Sequence, residues 1–154
     1  MSGSSTFRDL LSIKTDAVDR PRALAAGHYI GVIKGHEFAT SRRKNTPFIR
    51  FAITPTEETV DVDEGANEGM EISRREVHKD YYITPIALYR LSDMLDAVLG
   101  KQSGRSFDQR IPETRGMRVM FEITRREVVD ETTGEITDVY NDVNTIIAAE
   151  SAAN

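Results

Sequence analysis

Apolar and polar residues alternate over several stretches of this chain, and over one stretch apolar residues recur every three or four positions. Alternation marks strands, because successive side chains on extended backbone point to opposite faces. In Phe48–Thr54, Ile49, Phe51 and Ile53 share one face while Phe48, Arg50 and Ala52 share the other. Likewise Met117, Val119, Phe121 and Ile123 alternate with Arg118, Met120, Glu122 and Thr124. From His28 to Phe38, opened by Gly27, the strand is apolar on both sides, with Tyr29, Gly31 and Ile33 on one face and Ile30 and Val32 on the other. Gly31 and Gly35 inside it predict a bulge or sharp coil, which bends a sheet toward closure. Ile72–Ile83 reads as a strand of weaker alternation, and Val139–Ile147 as a strand returning from a hairpin turn over Asp130–Glu135 that includes Gly134. The helical spacing belongs to Leu88, Leu91, Leu95, Val98 and Leu99, with Thr84 as cap, Pro85 at the first position and Gly100 as the stop.

Between these elements, Ala39–Thr46 is a polar hairpin loop ending at Pro47, and Glu57–Glu71 is a long acidic loop with a short strand at Val60–Val62. Thr6 to Asp9 has the pattern of a capping box for a short helix through Leu10 and Leu11, and Lys14–Arg22 reads as an extended connector. The chain thus divides into an N-terminal arm (1–26), one domain (27–147) and a frayed tail (148–154). The order strand, strand, strand, helix, strand, strand predicts a mainly β fold. It is that of a five-stranded OB-fold barrel, with one helix between strands 3 and 4.

A chain of 154 residues can bury a sizeable core without staples. The absence of cysteine excludes disulfides, thiolate zinc sites, iron–sulfur clusters and cysteine nucleophiles. No apolar run approaches the roughly 18–20 residues that span a bilayer, and the first residues lack a signal-peptide pattern, so a soluble, intracellular protein without membrane contact is expected. The net charge of −5 is unevenly spread: +5 over residues 1–55, −7 over 56–71, +3 over 72–127 and −6 over 128–154. Two basic blocks folded onto one face would form a positive groove despite the acidic total; interleaved, they form a mixed solvated surface.

Nothing in the sequence supports catalysis. Asp61, Asp63 and Glu64 cluster, but without the spacing of a calcium loop. His28 and His36 are eight residues apart on one predicted strand, roughly 26 Å, too far to share an ion; His78 is elsewhere. Nucleophile elbows, phosphate-binding glycine loops and dinucleotide fingerprints are all missing. No catalytic residues, metal ligands or cofactors are therefore assigned.

Binding has more support. Arg42, Arg43 and Lys44, followed by Phe48 and Arg50 on the face opposite the core stripe, combine cations with an aromatic ring on one hairpin. Cations neutralise phosphates and a ring stacks on any base, the combination used by single-strand binders. Alternatively, Phe48 belongs to a second small cluster under the acidic loop and the cations to a solvated turn. Arg74, Arg75, Lys79, Tyr81 and Tyr82 form a second interleaved set, with one tyrosine expected to face the core; the other reading is a charged edge strand guarded against aggregation. Lys34 and Arg118 are supporting cations.

Gly27-His28-Tyr29 opening a strand, the basic loop Thr40–Thr46, Pro47–Phe51, a helix ending Leu99-Gly100, Arg115-Gly116 before a strand, and Gly134 in the last hairpin together resemble bacteriophage single-stranded DNA-binding proteins of OB-fold type, over residues 27–147. The resemblance implies a protein that coats single-stranded DNA during replication or recombination in the host cytoplasm. It places Arg42, Arg43, Lys44, Phe48 and Arg50 in the binding hairpin, and admits homo-oligomers and phage or host replication proteins as partners. The C-terminal sequence departs from the acidic tail many such proteins use to recruit partners. The acidic loop 57–71 is expected to compete with DNA for the groove. The alternative from another class is a structural or assembly module presenting its edges to other proteins; a metal-dependent nuclease using Asp61, Asp63 or Glu64 ranks behind both.

Overall fold

The period-two segments become strands and the period-3.6 segment a helix in the computed structural model, which describes residues 9, 11, 12 and 22–149. The capping box at Thr6, most of the connector and the end of the tail lie outside the described residues. In chain order come β1 (Gly27–Thr40), β2 (Pro47–Glu58), a 3-10 turn (Ile72–Arg74), β3 (Val77–Tyr82), α1 (Leu88–Leu99), a one-turn helix α2 (Phe107–Arg110), a second 3-10 turn (Ile111–Thr114), β4 (Arg118–Val129) and β5 (Ile136–Ala148).

The strands form one antiparallel sheet in the order β3-β2-β1-β4-β5. Central β1 pairs with β2 along its length and with β4 through Gly27–Val32. Its register against β2 shifts at Ile30/Gly31 and again at Ile33/Gly35, where the sequence predicts bulges. Gly31 is required sterically: a Cβ there would lie 2.5 Å from the Thr54 carbonyl oxygen and 2.9 Å from the Phe121 ring. Beyond the second shift His36 and Phe38 stand opposite Phe51 and Ile49, on the core side. The sheet is curled enough that β3 and β5 approach each other, with Val77, His78, Val139 and Asn141 around one cavity. Among the described residues no ladder joins them, so the sheet is open where a closed barrel was expected.

Tyr29, Ile33, Ile49, Phe51, Ile53, Val119, Phe121 and Ile123 are fully buried inside the curl, where Leu91, Met94, Leu95 and Val98 of α1 cover them. The Thr84 hydroxyl accepts the Ala87 N–H (3.2 Å) and the Thr84 carbonyl accepts Leu88 N–H (2.9 Å), so the threonine closes a turn that contains Pro85, and α1 begins at Leu88 rather than at Pro85 as expected. After α1, the one-turn α2 brings Arg110 into a buried position. Its guanidinium donates to Asp96 (2.9 Å) and to the Gly100 carbonyl (2.6 Å), satisfying the negative end of α1.

The acidic segment differs from expectation. β2 continues through Glu58, and Val60–Val62 is turn rather than strand. The segment folds back on the first residues of β1: Val62 is buried against Gly27, the Asn67 amide donates to Tyr29 Oη and Glu58 (2.8 Å each), and Arg22 donates to the carbonyls of Ala66 (2.9 Å) and Glu68 (3.0 Å). The basic loop follows the last residue of β1, so roughly 40 Å of strand separates the two. The acidic loop therefore does not reach the basic hairpin as a competitor. Among the described residues no helix is long and apolar enough to cross a membrane.

Candidate functional site

The face of β1–β2–β3 turned away from the core carries the cross-strand pairs Phe48–Tyr82, Arg50–Asp80 and Ala52–His78, with Glu37 of β1 opposite Arg50. Phe48 is outside the core, as its alternation with Ile49 requires, yet its ring is only 9% exposed. Tyr82 meets it edge to face (centroids 6.1 Å apart) and the Arg50 guanidinium carbon lies 5.3 Å from its centroid. The expectation of an open Phe48 ring is thus corrected: cross-strand pairing covers it, though far from the acidic loop. The open ring is Tyr82, half exposed.

Beside it, the β1–β2 loop closes with Ser41 N–H donating to the Thr46 carbonyl (2.8 Å), Thr46 N–H donating to Ser41 Oγ (3.0 Å) and Asn45 in the left-handed region. This tight closure holds Arg42, Arg43 and Lys44 out in solvent. They line, with Tyr82, Thr84 and Ala87, a groove of about 590 Å³. No carboxylate pairs with these three cations among the described residues.

The other predicted cations are differently placed. Lys34 pairs with Glu76 (3.1 Å), Arg74 with Glu71 (2.6 Å) and Arg118 with Glu57 (2.9 Å). Arg50 makes a bidentate pair with Asp80 (2.7 and 3.0 Å), which holds its pKa above the usual arginine value. Arg74 and Arg75 precede β3, in and after the 3-10 turn, and so share no strand face with Tyr82; Arg75 lines the cavity between β3 and β5. Lys79 and Tyr81 lie on the core side of β3. Tyr81 is 8% exposed, packs edge-on to Phe51 (5.9 Å) and has its hydroxyl pKa pushed up by burial. The Lys79 ammonium sits 5.5 Å from the Tyr81 centroid, and desolvation lowers its pKa. Of the two tyrosines one faces inward and one outward, as alternation demands; Tyr81 and Lys79 are thereby removed from the groove.

Sequence reasoning missed three features. Phe38, at the far end of β1, is exposed beside His36 (5.5 Å, edge on). Arg115 joins Lys34, Arg50 and His78 around a second hollow of about 380 Å³ that also holds Glu37 and Glu76. Asp80 stands in the middle of the outer face. Alternation along β3 predicts that Asp80 and Tyr82 share a side, but only the register identifies their partners.

The histidines stay apart. His28 Nδ1 lies 2.5 Å from Asp61 Oδ2, while Asp61 Oδ1 accepts the His28 N–H and the Thr59 hydroxyl (2.8 Å each). These bonds, the His28 side chain's first, hold the Asp61 carboxyl down at about 2. Asp63 and Glu64 point into solvent, His78 contacts Glu76 (3.2 Å), and among the described residues no three metal-ligating side chains converge. No protein-family model matches the chain, and no curated protein matches it in sequence. The chemistry of the groove therefore carries the functional reading.

Proposed function

We propose that this protein is a non-catalytic, sequence-tolerant binder of single-stranded DNA built on a sheet of OB type. The order β3-β2-β1-β4-β5, with β1 paired to both β2 and β4 and a helix between β3 and β4, supports that fold type. OB folds receive oligonucleotides on the face of strands 2 and 3 and on the loops joining strands 1–2 and 4–5. The loop after β4 here carries Asp130, Glu131 and Glu135, so the strand runs over β2 and β3 instead.

The observation that carries the reading is the company of Arg42, Arg43 and Lys44, without a counter-charge among the described residues, with the half-exposed Tyr82 around one groove. Cations without internal partners exchange only water and mobile ions for phosphate, while a ring offers stacking to any base. Such binding coats a strand and keeps it from re-annealing or nuclease attack, the task of a replication or recombination protein in an infected host. Self-association and contacts with phage or host replication proteins belong to the same proposal.

A titration of a labelled thymidine oligomer followed by fluorescence anisotropy tests it. Tyr82→Ala is expected to weaken binding by about 5-fold or more, since stacking contributes about 1–3 kcal/mol per base. Equal affinity of the two proteins would contradict the role of the groove. A second reading, an assembly module, draws on the exposed Val129, Ile136 and Tyr140 of the β4–β5 hairpin; it requires self-association or protein binding that ignores salt.

A further inference from the structure

Asp80 occupies a place that a simple DNA-binding face would give to a neutral or basic residue. It stands directly opposite Arg50 and next to the Phe48–Tyr82 pair. Both of its carboxylate oxygens are taken by the Arg50 guanidinium, at 2.7 and 3.0 Å. That pairing holds the guanidinium over the Phe48 ring, 5.3 Å from its centroid, and Tyr82 meets the same ring edge to face. Glu37, opposite Arg50 on β1, adds a second negative charge next to it. The outer face is thus divided: an open half with Arg42, Arg43, Lys44 and Tyr82, and a closed half in which a cation and a ring cover each other.

We infer that Asp80 is a specificity-determining residue that keeps the Arg50–Phe48 half of the outer face shut to bare polyanions and lets it open to single strands that bring bases. This rests on the single-strand reading above. A phosphate alone would have to replace a bidentate carboxylate on Arg50 and approach two acidic side chains, a near-neutral exchange. A nucleotide does more: when Arg50 turns from Asp80 to the phosphate it uncovers Phe48, and the base takes the vacated ring face.

The test compares Asp80→Asn with the native protein in binding a thymidine oligomer and an abasic oligomer of equal length, across a salt series. Asn keeps the shape but removes the charge. Asp80→Asn is expected to bind the abasic oligomer about fivefold more tightly, with a smaller gain for thymidine, so that discrimination falls. The slope of log affinity against log salt should steepen by about 0.7, one additional phosphate. Adding Arg50→Gln should abolish both gains, and Asp80→Ser provides a second variant should the amide itself hold Arg50. Native protein that binds thymidine while Asp80→Asn and Asp80→Ser leave slope and discrimination unchanged overturns the inference alone. Native protein that does not bind thymidine at low salt overturns the groove reading, and the inference with it.

Discussion

Tyr81 and Tyr82 are neighbours in sequence with opposite fates, because a strand turns each successive side chain to the other face. Tyr81→Ala removes a ring from the core and is expected to cost about 3–5 kcal/mol, as seen in the urea midpoint, since a large buried aromatic leaves a cavity. Tyr82→Ala should leave that midpoint nearly unchanged while weakening DNA binding. Gly31→Ala would push a methyl group into the Thr54 carbonyl and the Phe121 ring, with an expected loss of about 1–3 kcal/mol by the same measurement. Asp61 makes a pH-dependent contribution. Its bonds to His28 and Thr59 lower its pKa from 3.8 to about 2, so the folded chain holds that proton less tightly than the unfolded one. The stability it contributes is present above about pH 4 and lost as pH falls toward 2; native and Asp61→Asn proteins should differ in thermal midpoint above that window and converge within it.

At the scale of elements, the sequence already contained β2, β4 and α1, because their apolar residues keep one period for whole segments. The core faces of β1 and the turn at Asp130–Glu135 were legible for the same reason, with Gly134 in the left-handed region and the Asp130 carbonyl accepting its N–H (2.7 Å). Pairing across strands was not legible. Arg50 meets Asp80 through the regular β2–β3 register and Glu37 through a β1–β2 register set by two irregularities in β1, and a one-residue slip would replace every partner. The covered Phe48 and the neutralised Arg50 were hidden for that reason. The place of the acidic loop was hidden too, since Asn67 and Arg22 tie it down through backbone groups that leave no sequence pattern. Because that loop sits at the opposite end of β1, replacing Asp63, Glu64 and Glu68 with their amides should change oligonucleotide affinity by less than about twofold at moderate salt, where screening acts over about 10 Å. A large rise in the same anisotropy titration would place the loop in the groove after all.

Among the described residues the charge is unevenly placed: acidic turns gather where β1 begins, and an exposed basic loop projects where it ends. A net charge of −5 is therefore compatible with a local anion-binding surface, because over moderate salt only nearby charges count. The curled sheet sets the outer faces of β2 and β3 alongside that loop, so the cations and Tyr82 line one groove. The most direct measurement is the salt dependence of thymidine-oligomer binding for the native protein and for the triple variant Arg42→Gln, Arg43→Gln, Lys44→Gln. Three phosphate contacts give a slope of about −2, so affinity should fall about 20-fold between about 50 and 200 mM salt, and the variant should lose most of that slope. Affinity that ignores salt, or a slope the triple variant leaves intact, would contradict the assignment of these three cations to a single-strand groove.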